Sequence, residues 1–318
     1  MTLTELKYIV AVAREKHFGR AAKACFISQP TLSVAVKKLE DELEVKIFER
    51  RAGEIHLTPL GRDIVQQAQG VLEQAEGIRA TARAAKDPLL GPLRLGVIYT
   101  IGPYLLPELV RHNIERTPQM PLMLQENFTV NLLDMLHSGE IDCAILAEPF
   151  PTQGLACAAL YDDPFVAALP AGHQLAKNKS ISSAELKADT LLLLGAGHCW
   201  RDHVLQACPE FARFSSQADG ISRSFEGSSL ETIKHMVAAG LGVTLVPHLS
   251  VPPGGDAAGL IAYLPLRADD DGEPPPTRRV SLCWRRSFTR YEAIAALRRA
   301  LGDCALAGVQ WVNGQACA

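Results

Sequence analysis

The sequence predicts an N-terminal winged helix-turn-helix, a long linker helix and a C-terminal α/β domain of two lobes. Three observations carry this. Short helical periodicities and two strand-like runs fill the first sixty residues, an apolar heptad follows from Ile64, and strand-like runs alternate with amphipathic helices from residue 93. The expected divisions are 1–59 for the first part, 60–87 for the linker helix and hinge, 88–302 for the α/β part and 303–318 for a tail. Within the α/β part, 88–162 and 269–302 form one lobe (lobe I) and 163–268 the other (lobe II).

Leu3, Leu6, Ile9, Val10, Val12 and Ala13 recur at helical spacing and give a first helix. "FGRAAKACF" gives a second, built from small residues. "ISQPTLSVAVKKLEDEL" opens a third, with Ser28 as N-cap and Pro30 tolerated in the first turn. Its buried stripe is Leu32, Val36, Leu39 and Leu43, which leaves Gln29, Thr31, Ser33 and Lys37 on other faces, mostly near the helix start. A third helix with a free polar N-terminal end is what a recognition helix presents to the major groove. "VKIFERRAGEIHLTPLG" then reads as strand, turn at Gly53 and strand. This is a wing, with Lys46, Arg50 and Arg51 close by as phosphate contacts require.

These residues resemble the winged helix-turn-helix of LysR-type transcriptional regulators almost end to end. The marks are "AA" in the second helix, "SQPTLS" opening the third, "KKLEDELEVKIFER" closing it, and "LTPLG" leading into the next segment. Val34–Ala35 departs from the pattern, since many relatives carry a polar or basic residue there. The resemblance implies a promoter-binding regulator, not an enzyme, that acts on RNA polymerase as a homotetramer, a dimer of dimers. Ser28, Gln29, Pro30, Thr31, Ser33, Lys37 and Arg50 are its expected DNA contacts.

From Thr58 the pattern becomes one long helix. Ile64, Ala68, Val71, Ala75, Ile78 and Ala82 alternate spacings of four and three, a seam suited to a second copy of the helix. "KDPLLGP" breaks it and serves as a hinge.

Strands are expected at "LRLGVIY", "LMLQENF" and "IDCAILA", with helices between them, in a mostly parallel sheet. "TLLLL", "SLETIKHMVAAG" and "GVTLVPHL" belong to the second lobe, and the chain returns through "RRVSLCWRR" to a last helix, "RYEAIAALRRAL". Two such lobes joined by crossing strands resemble the periplasmic-binding-protein-like effector domain of the same family, where a small molecule binds between the lobes. Thr100 and Thr129 each end a strand just before a helix. That position fits an N-cap hydroxyl as well as a ligand contact.

Composition narrows the function classes. A formal net charge of -3 gives no global basicity, and residues 1–60 hold ten Lys/Arg against eight Asp/Glu, so DNA has to be met by a local patch. Eight cysteines in 318 residues are too few for a disulfide-built scaffold. No signal peptide, membrane-length apolar run, P-loop, dinucleotide fingerprint or nucleophile elbow is present. A cytoplasmic chain with mostly reduced cysteines, no membrane partner and no cofactor is expected.

Among the cysteines, Cys25, Cys143 and Cys283 sit in apolar element interiors and read as small core residues. Cys157 lies in a small-residue strand, and Cys304 and Cys317 lie in or near the tail. Cys199 and Cys208 differ. Nine positions separate them across "HCWRDHVLQAC", a short helix that stops at Pro209. Nine residues of helix rise about 13.5 Å, whereas a disulfide needs Cα atoms within roughly 7 Å. Cys199 falls at the helix N-terminus, which favours a thiolate, with His198 and Arg201 adjacent. A thiolate attacks peroxide to give a sulfenic acid that condenses with a second thiol, and Cys208 is the nearest in sequence.

"LLGAGHCWRDHVLQAC", with Thr100, Thr129 and "SLETIKHMVAAGLGVTLVP", resembles the hydrogen-peroxide-sensing members of the LysR family over nearly the whole chain. The resemblance implies Cys199 as the peroxidatic and Cys208 as the resolving residue of a reversible disulfide, which a cellular thiol reductant resets. Thr100, Thr129 and His198 would hold peroxide and water, and Asp202 would assist proton transfer. Three alternatives stay open: a zinc site at His198, Cys199, His203 and Cys208 (no metal is the preferred reading), a metabolite sensor with incidental cysteines, and a peroxide-destroying enzyme.

Overall fold

The computed structural model describes residues 1–51, 54–84, 89–187, 189–208, 229–268 and 274–312, without the side chains of 50, 51, 54 and 79–84. Three helices open the chain: α1 (Leu3–Glu15), α2 (Phe18–Ala24) and α3 (Gln29–Leu43). Thr2 starts α1 with a capping box, its hydroxyl accepting from the Glu5 N–H while the Glu5 carboxylate accepts from the Thr2 N–H. Ser28 caps α3 by accepting from the Thr31 N–H at 3.3 Å. Leu6, Ile9, Leu32, Val36, Leu39 and Ile47 form the core between the helices. The antiparallel pair β1 (Phe48–Arg51) and β2 (Glu54–Leu57) is the wing; the turn at Gly53 lies outside the described residues. Glu40 of α3 fixes its angle. This carboxylate, 8% exposed, accepts from the backbone N–H groups of Ile47 and Phe48 at 2.8 and 3.1 Å and pairs with Lys46 at 3.0 Å.

Helix α4 (Pro59–Ala84) is the linker. The expected seam divides along it. Ala68 is buried and Ile64 half-buried, both packed on the helix-turn-helix core, whereas Val71 and Ile78 are 45% and 74% exposed. The first turns of α4 therefore complete their own domain, and only the later part of the seam is free for a second copy. Glu73 of α4 pairs with Arg285 and accepts from Ser287, docking the linker on lobe I. The Ala82 side chain and residues 85–88 of the hinge lie outside the described set.

The α/β part runs β3 (Leu93–Ile98), α5 (Gly102–Arg116), β4 (Leu122–Asn127), α6 (Thr129–His137), β5 (Cys143–Ala147), β6 (Leu155–Pro170), α7 (Cys199–Ala207), α8 (Leu230–Ala238), β7 (Thr244–Pro247), β8 (Ile261–Pro265), β9 (Thr277–Arg285), α9 (Tyr291–Gly302) and β10 (Gln310–Trp311). Strand order is β10-β6-β9-β5-β3-β4, with β7 and β8 on the far half of β6. Only β3 with β4 and β3 with β5 are parallel among the described pairs, which corrects the expectation of a mostly parallel sheet. The reason is the two long strands β6 and β9. They run antiparallel to each other and carry the chain between the lobes, so every pair they make is antiparallel.

"TLLLL" makes only a single bridge, Leu191 to Val243, although Leu192, Leu193 and Leu194 are buried. Tail residues 310–311 add strand β10 to the edge of β6, and residues 313–318 with Cys317 lie outside the described set. Each lobe has its own core, one around Leu95, Ile145 and Leu297, the other around Phe165, Trp200 and Leu245. No described helix is long and apolar enough to cross a membrane.

Candidate functional site

Strands β3 and β4 are neighbours and parallel, so their carboxyl ends lie side by side and deliver the dipeptides Tyr99–Thr100 and Phe128–Thr129 to one place. Neither threonine serves as a helix cap. The N-cap residues of α5 and α6 are Ile101 and Phe128, and neither makes a side-chain cap bond. From the other lobe, Gly197 turns the chain at φ +96°, which a side chain would adopt only with strain, and places His198 and Cys199 opposite the threonines. The ring of Phe128 lies 5.2 Å from that of Tyr99 and 4.8 Å from that of His198, closing the site with an aromatic wall.

The cavity enclosed by Thr100, Phe128, Thr129, His198 and Cys199 measures about 10 Å³, room for one water-sized molecule. Thr129 and His198 both line it; Thr129 Oγ1 and His198 Nε2 are buried and meet no oxygen or nitrogen, the threonine hydroxyl lying against the Cys199 sulfur. Buried polar atoms are nearly always paired, so the unpartnered His198 nitrogen beside a small cavity is a provision for a guest. Thr100 Oγ1 accepts from Arg278 Nη1 at 2.8 Å, which directs the hydroxyl hydrogen away from the guanidinium. Burial keeps His198 below the usual histidine range, hence neutral near pH 7.

Arg278 carries no signal beyond the double arginine near the start of β9. It is 2% exposed. Its guanidinium pairs with Asp163 at 2.9 Å, donates to the Thr100 carbonyl at 3.2 Å and lies 4.9 Å from the centre of the Trp200 ring. It thus ties a β6 carboxylate, the end of β3 and the first turn of α7 together. Burial pushes the Cys199 thiol above the usual cysteine value, while the Arg278 charge, the Thr129 hydroxyl and the Trp200 N–H pull the other way. Burial thus favours the thiol of Cys199, against the expectation of a resting thiolate from the helix end and the nearby cation.

Helix α7 spans the expected residues, with Cys208 just past its end. Neither sulfur is part of a disulfide, and the two belong to different environments. Cys199 packs against the lobe I core, whereas Cys208 is fully buried in the lobe II core. Between them Trp200 is anchored by its indole N–H, which donates to the Leu245 carbonyl at 3.0 Å, and by Phe165, 4.4 Å away ring to ring. Asp202 sits on the exposed side of α7, outside the cavity lining, where its charge opposes the thiolate. His203 turns from the site to the Glu148 carbonyl at 2.8 Å. His198, Cys199, His203 and Cys208 therefore do not converge as zinc ligands would, and no described cluster of three such groups could hold a metal. A larger cleft of about 360 Å³ lies along α7 by Glu148, Phe165, His203 and Thr277, sharing no residue with the small cavity.

In the N-terminal domain, Ser28, Gln29, Pro30, Thr31 and Lys37 are exposed and Ser33 half-exposed on α3; the Arg50 side chain lies outside the described set. Cys157 and Cys283, read from sequence as separate thiols, are directly opposed on β6 and β9 and joined as a disulfide.

Residues 3–62 match the family model described as bacterial regulatory helix-turn-helix protein, lysR family, and residues 86–305 match the LysR substrate binding domain. The DNA-binding transcriptional dual regulator OxyR of Escherichia coli K12 is 38% identical over 306 residues, 95% of this chain and 96% of that protein. The probable hydrogen peroxide-inducible genes activator of Streptomyces viridosporus is 37% identical over 95% of each chain. Among solved structures, full-length OxyR C199D from Pseudomonas aeruginosa superimposes with a TM-score of 0.81 at 48% identity, covering 99% of both chains. A reduced form of OxyR from N. meningitidis gives 0.63 at 37% identity, over 70% of this chain and 99% of that one.

Proposed function

The chain belongs to the LysR family of bacterial regulatory helix-turn-helix proteins, and from that premise we propose that it is a promoter-binding transcription regulator switched by hydrogen peroxide. The observation that carries this reading is the cavity of about 10 Å³ at Cys199, lined by Thr129 and by His198, whose buried Nε2 has no partner. A metabolite does not fit there; a peroxide-sized molecule, with modest adjustment, does.

In the proposed reaction, Thr100 and Thr129 hydroxyls and His198 orient peroxide against Cys199. The Cys199 thiolate attacks one oxygen, the O–O bond breaks, and the departing hydroxide takes up the proton released by the thiol to leave as water. The sulfenic acid then meets the Cys208 thiol. An S–S bond forms, the S–O bond breaks, and a second water leaves. Two electrons pass from the thiols to peroxide, and a cellular thiol returns them.

For the sulfurs to meet, α7 has to unwind and Trp200 has to leave its pocket. An indole burying roughly 150–250 Å² contributes about 4–6 kcal/mol, so the reduced form is held firmly and the covalent bond drives the change. Such an ordered segment with two alternatives is a switching element. The refolded segment would alter contacts in a homotetramer and so the placement of the recognition helices before RNA polymerase. A cytoplasmic setting fits a resting state in which Cys199 and Cys208 are reduced.

The test is DNase footprinting on a responsive promoter with and without peroxide. The wild-type footprint should change on oxidation and return with dithiothreitol, and that of Cys199→Ser should stay fixed. A peroxide-dependent footprint in Cys199→Ser would overturn the reading.

A further inference from the structure

Cys157 and Cys283 face one another in register across β6 and β9, with Cα atoms 4.2 Å apart. That is close to the roughly 4.5 Å of a narrow antiparallel pair, so their bond requires no rearrangement of the sheet. In this it is the opposite of the Cys199–Cys208 pair. The two sulfurs also differ in access: Cys157 is exposed, whereas Cys283 is 0% exposed. On their face of the sheet Cys283 is flanked by Ser281 and Arg285, and Arg285 is paired with Leu155, two residues before Cys157. Thiol–disulfide exchange starts with attack by an accessible thiol on a disulfide sulfur, and the exposed Cys157 is the one of the two placed to begin it.

We propose that Cys157 and Cys283 form a second, reversible thiol–disulfide couple that responds to low-molecular-weight disulfides. The Cys157 thiolate attacks the small disulfide, one small thiolate leaves, and a mixed disulfide stays on Cys157. The Cys283 thiol then attacks the Cys157 sulfur, loses its proton and expels the second small thiol. The balance is two protein thiols and one small disulfide giving one protein disulfide and two small thiols. Access through Cys157 alone makes the order of steps obligatory, with Cys283 as the internal resolving residue.

The location gives the couple something to regulate. From Leu155 to Pro164, β6 pairs with β9 in the lobe I sheet, and from Phe165 to Pro170 it pairs with β7 and β8 in lobe II. The bond therefore ties the two lobe-joining strands at their lobe I end, and its state sets how firmly the crossing is held.

The test uses the full chain carrying Cys199→Ser and Cys208→Ser, so its outcome is independent of the peroxide reading. The protein is reduced, freed of reductant, and exposed to glutathione disulfide; remaining thiols are then alkylated and peptides mapped. Glutathione disulfide should consume two thiols per chain and give a linked Cys157–Cys283 peptide pair that dithiothreitol reverses in the folded protein. With Cys157→Ser added, Cys283 should resist both glutathione disulfide and alkylation while the protein stays folded. Glutathione retained on Cys157 beside an unreacted Cys283, no reaction at either thiol, or a bond that resists dithiothreitol would overturn the proposal.

Discussion

Arg278 donates to the Thr100 hydroxyl at 2.8 Å and with the same guanidinium pairs with Asp163, both side chains of that ion pair being wholly buried. One residue thereby orients a wall of the small cavity at Cys199 and supplies a positive charge that favours the Cys199 anion. Arg278→Met should slow sulfenic acid formation about 10- to 100-fold, since a loss of roughly 1.4–2.8 kcal/mol of thiolate stabilisation corresponds to one or two powers of ten. It also strands Asp163, at a cost of about 3–5 kcal/mol. The double variant Arg278→Met/Asp163→Leu should recover the melting temperature but not the rate. Recovery of both would reduce Arg278 to a structural role.

The rate of peroxide reaction should depend on pH as a thiol raised by burial requires. Below its pKa the thiolate fraction grows about tenfold per unit, so stopped-flow tryptophan fluorescence should show a rate about ten times greater at pH 8 than at pH 7. A flat profile would mean a thiolate at rest.

Stability should move with pH by a separate route. Burial holds His198 and His203 below the usual histidine range in the folded chain, so the unfolded chain binds more protons as pH falls past about 6.5. Stability is then complete above that pH and is lost as pH falls toward the depressed folded values. Urea midpoints should drop between pH 7 and pH 5, and less so in His203→Gln.

On the linker, Val71→Asp with Ile78→Asp should dissociate the assembly while leaving the helix-turn-helix folded, because both side chains are exposed in the single chain. Ile64→Asp should instead lower the melting temperature, since Ile64 packs on the domain core. Sedimentation showing an unchanged oligomer for the double variant would remove this stretch from the interface.

At the recognition helix, Gln29→Ala should relax sequence preference more than it weakens binding to random DNA. A bidentate base contact is worth about 1–3 kcal/mol of discrimination. Equal losses on both would assign Gln29 to the backbone.

The helices, the wing and the switch helix were legible because local spacing encodes them: the Leu32, Val36 and Leu39 stripe, the Ser28 cap, the two cysteines flanking α7. The antiparallel pairing of β6 and β9 was not, because strand direction depends on partners more than 100 residues away, as with Cys157 and Cys283, 126 positions apart. Thr100 and Thr129 could be placed at strand ends, but only the structure showed that neither is a cap. Arg278 stayed hidden for the same reason as its partner Asp163: a buried ion pair between distant strands leaves no local pattern. The helix end that favours a Cys199 thiolate is legible from sequence position, whereas the burial that opposes it is not.

The central claim is that Cys199 and Cys208, held in separate cores by an intact α7, become bonded when peroxide arrives. Peptide mapping by mass spectrometry after substoichiometric peroxide, with a sulfenic-acid trap present, tests it directly. The account predicts a linked Cys199–Cys208 peptide pair in the wild-type chain, a trapped sulfenic acid on Cys199 in Cys208→Ser, and no oxidation of Cys208 in Cys199→Ser. Peroxide consumed with Cys199 and Cys208 both still alkylatable would contradict it.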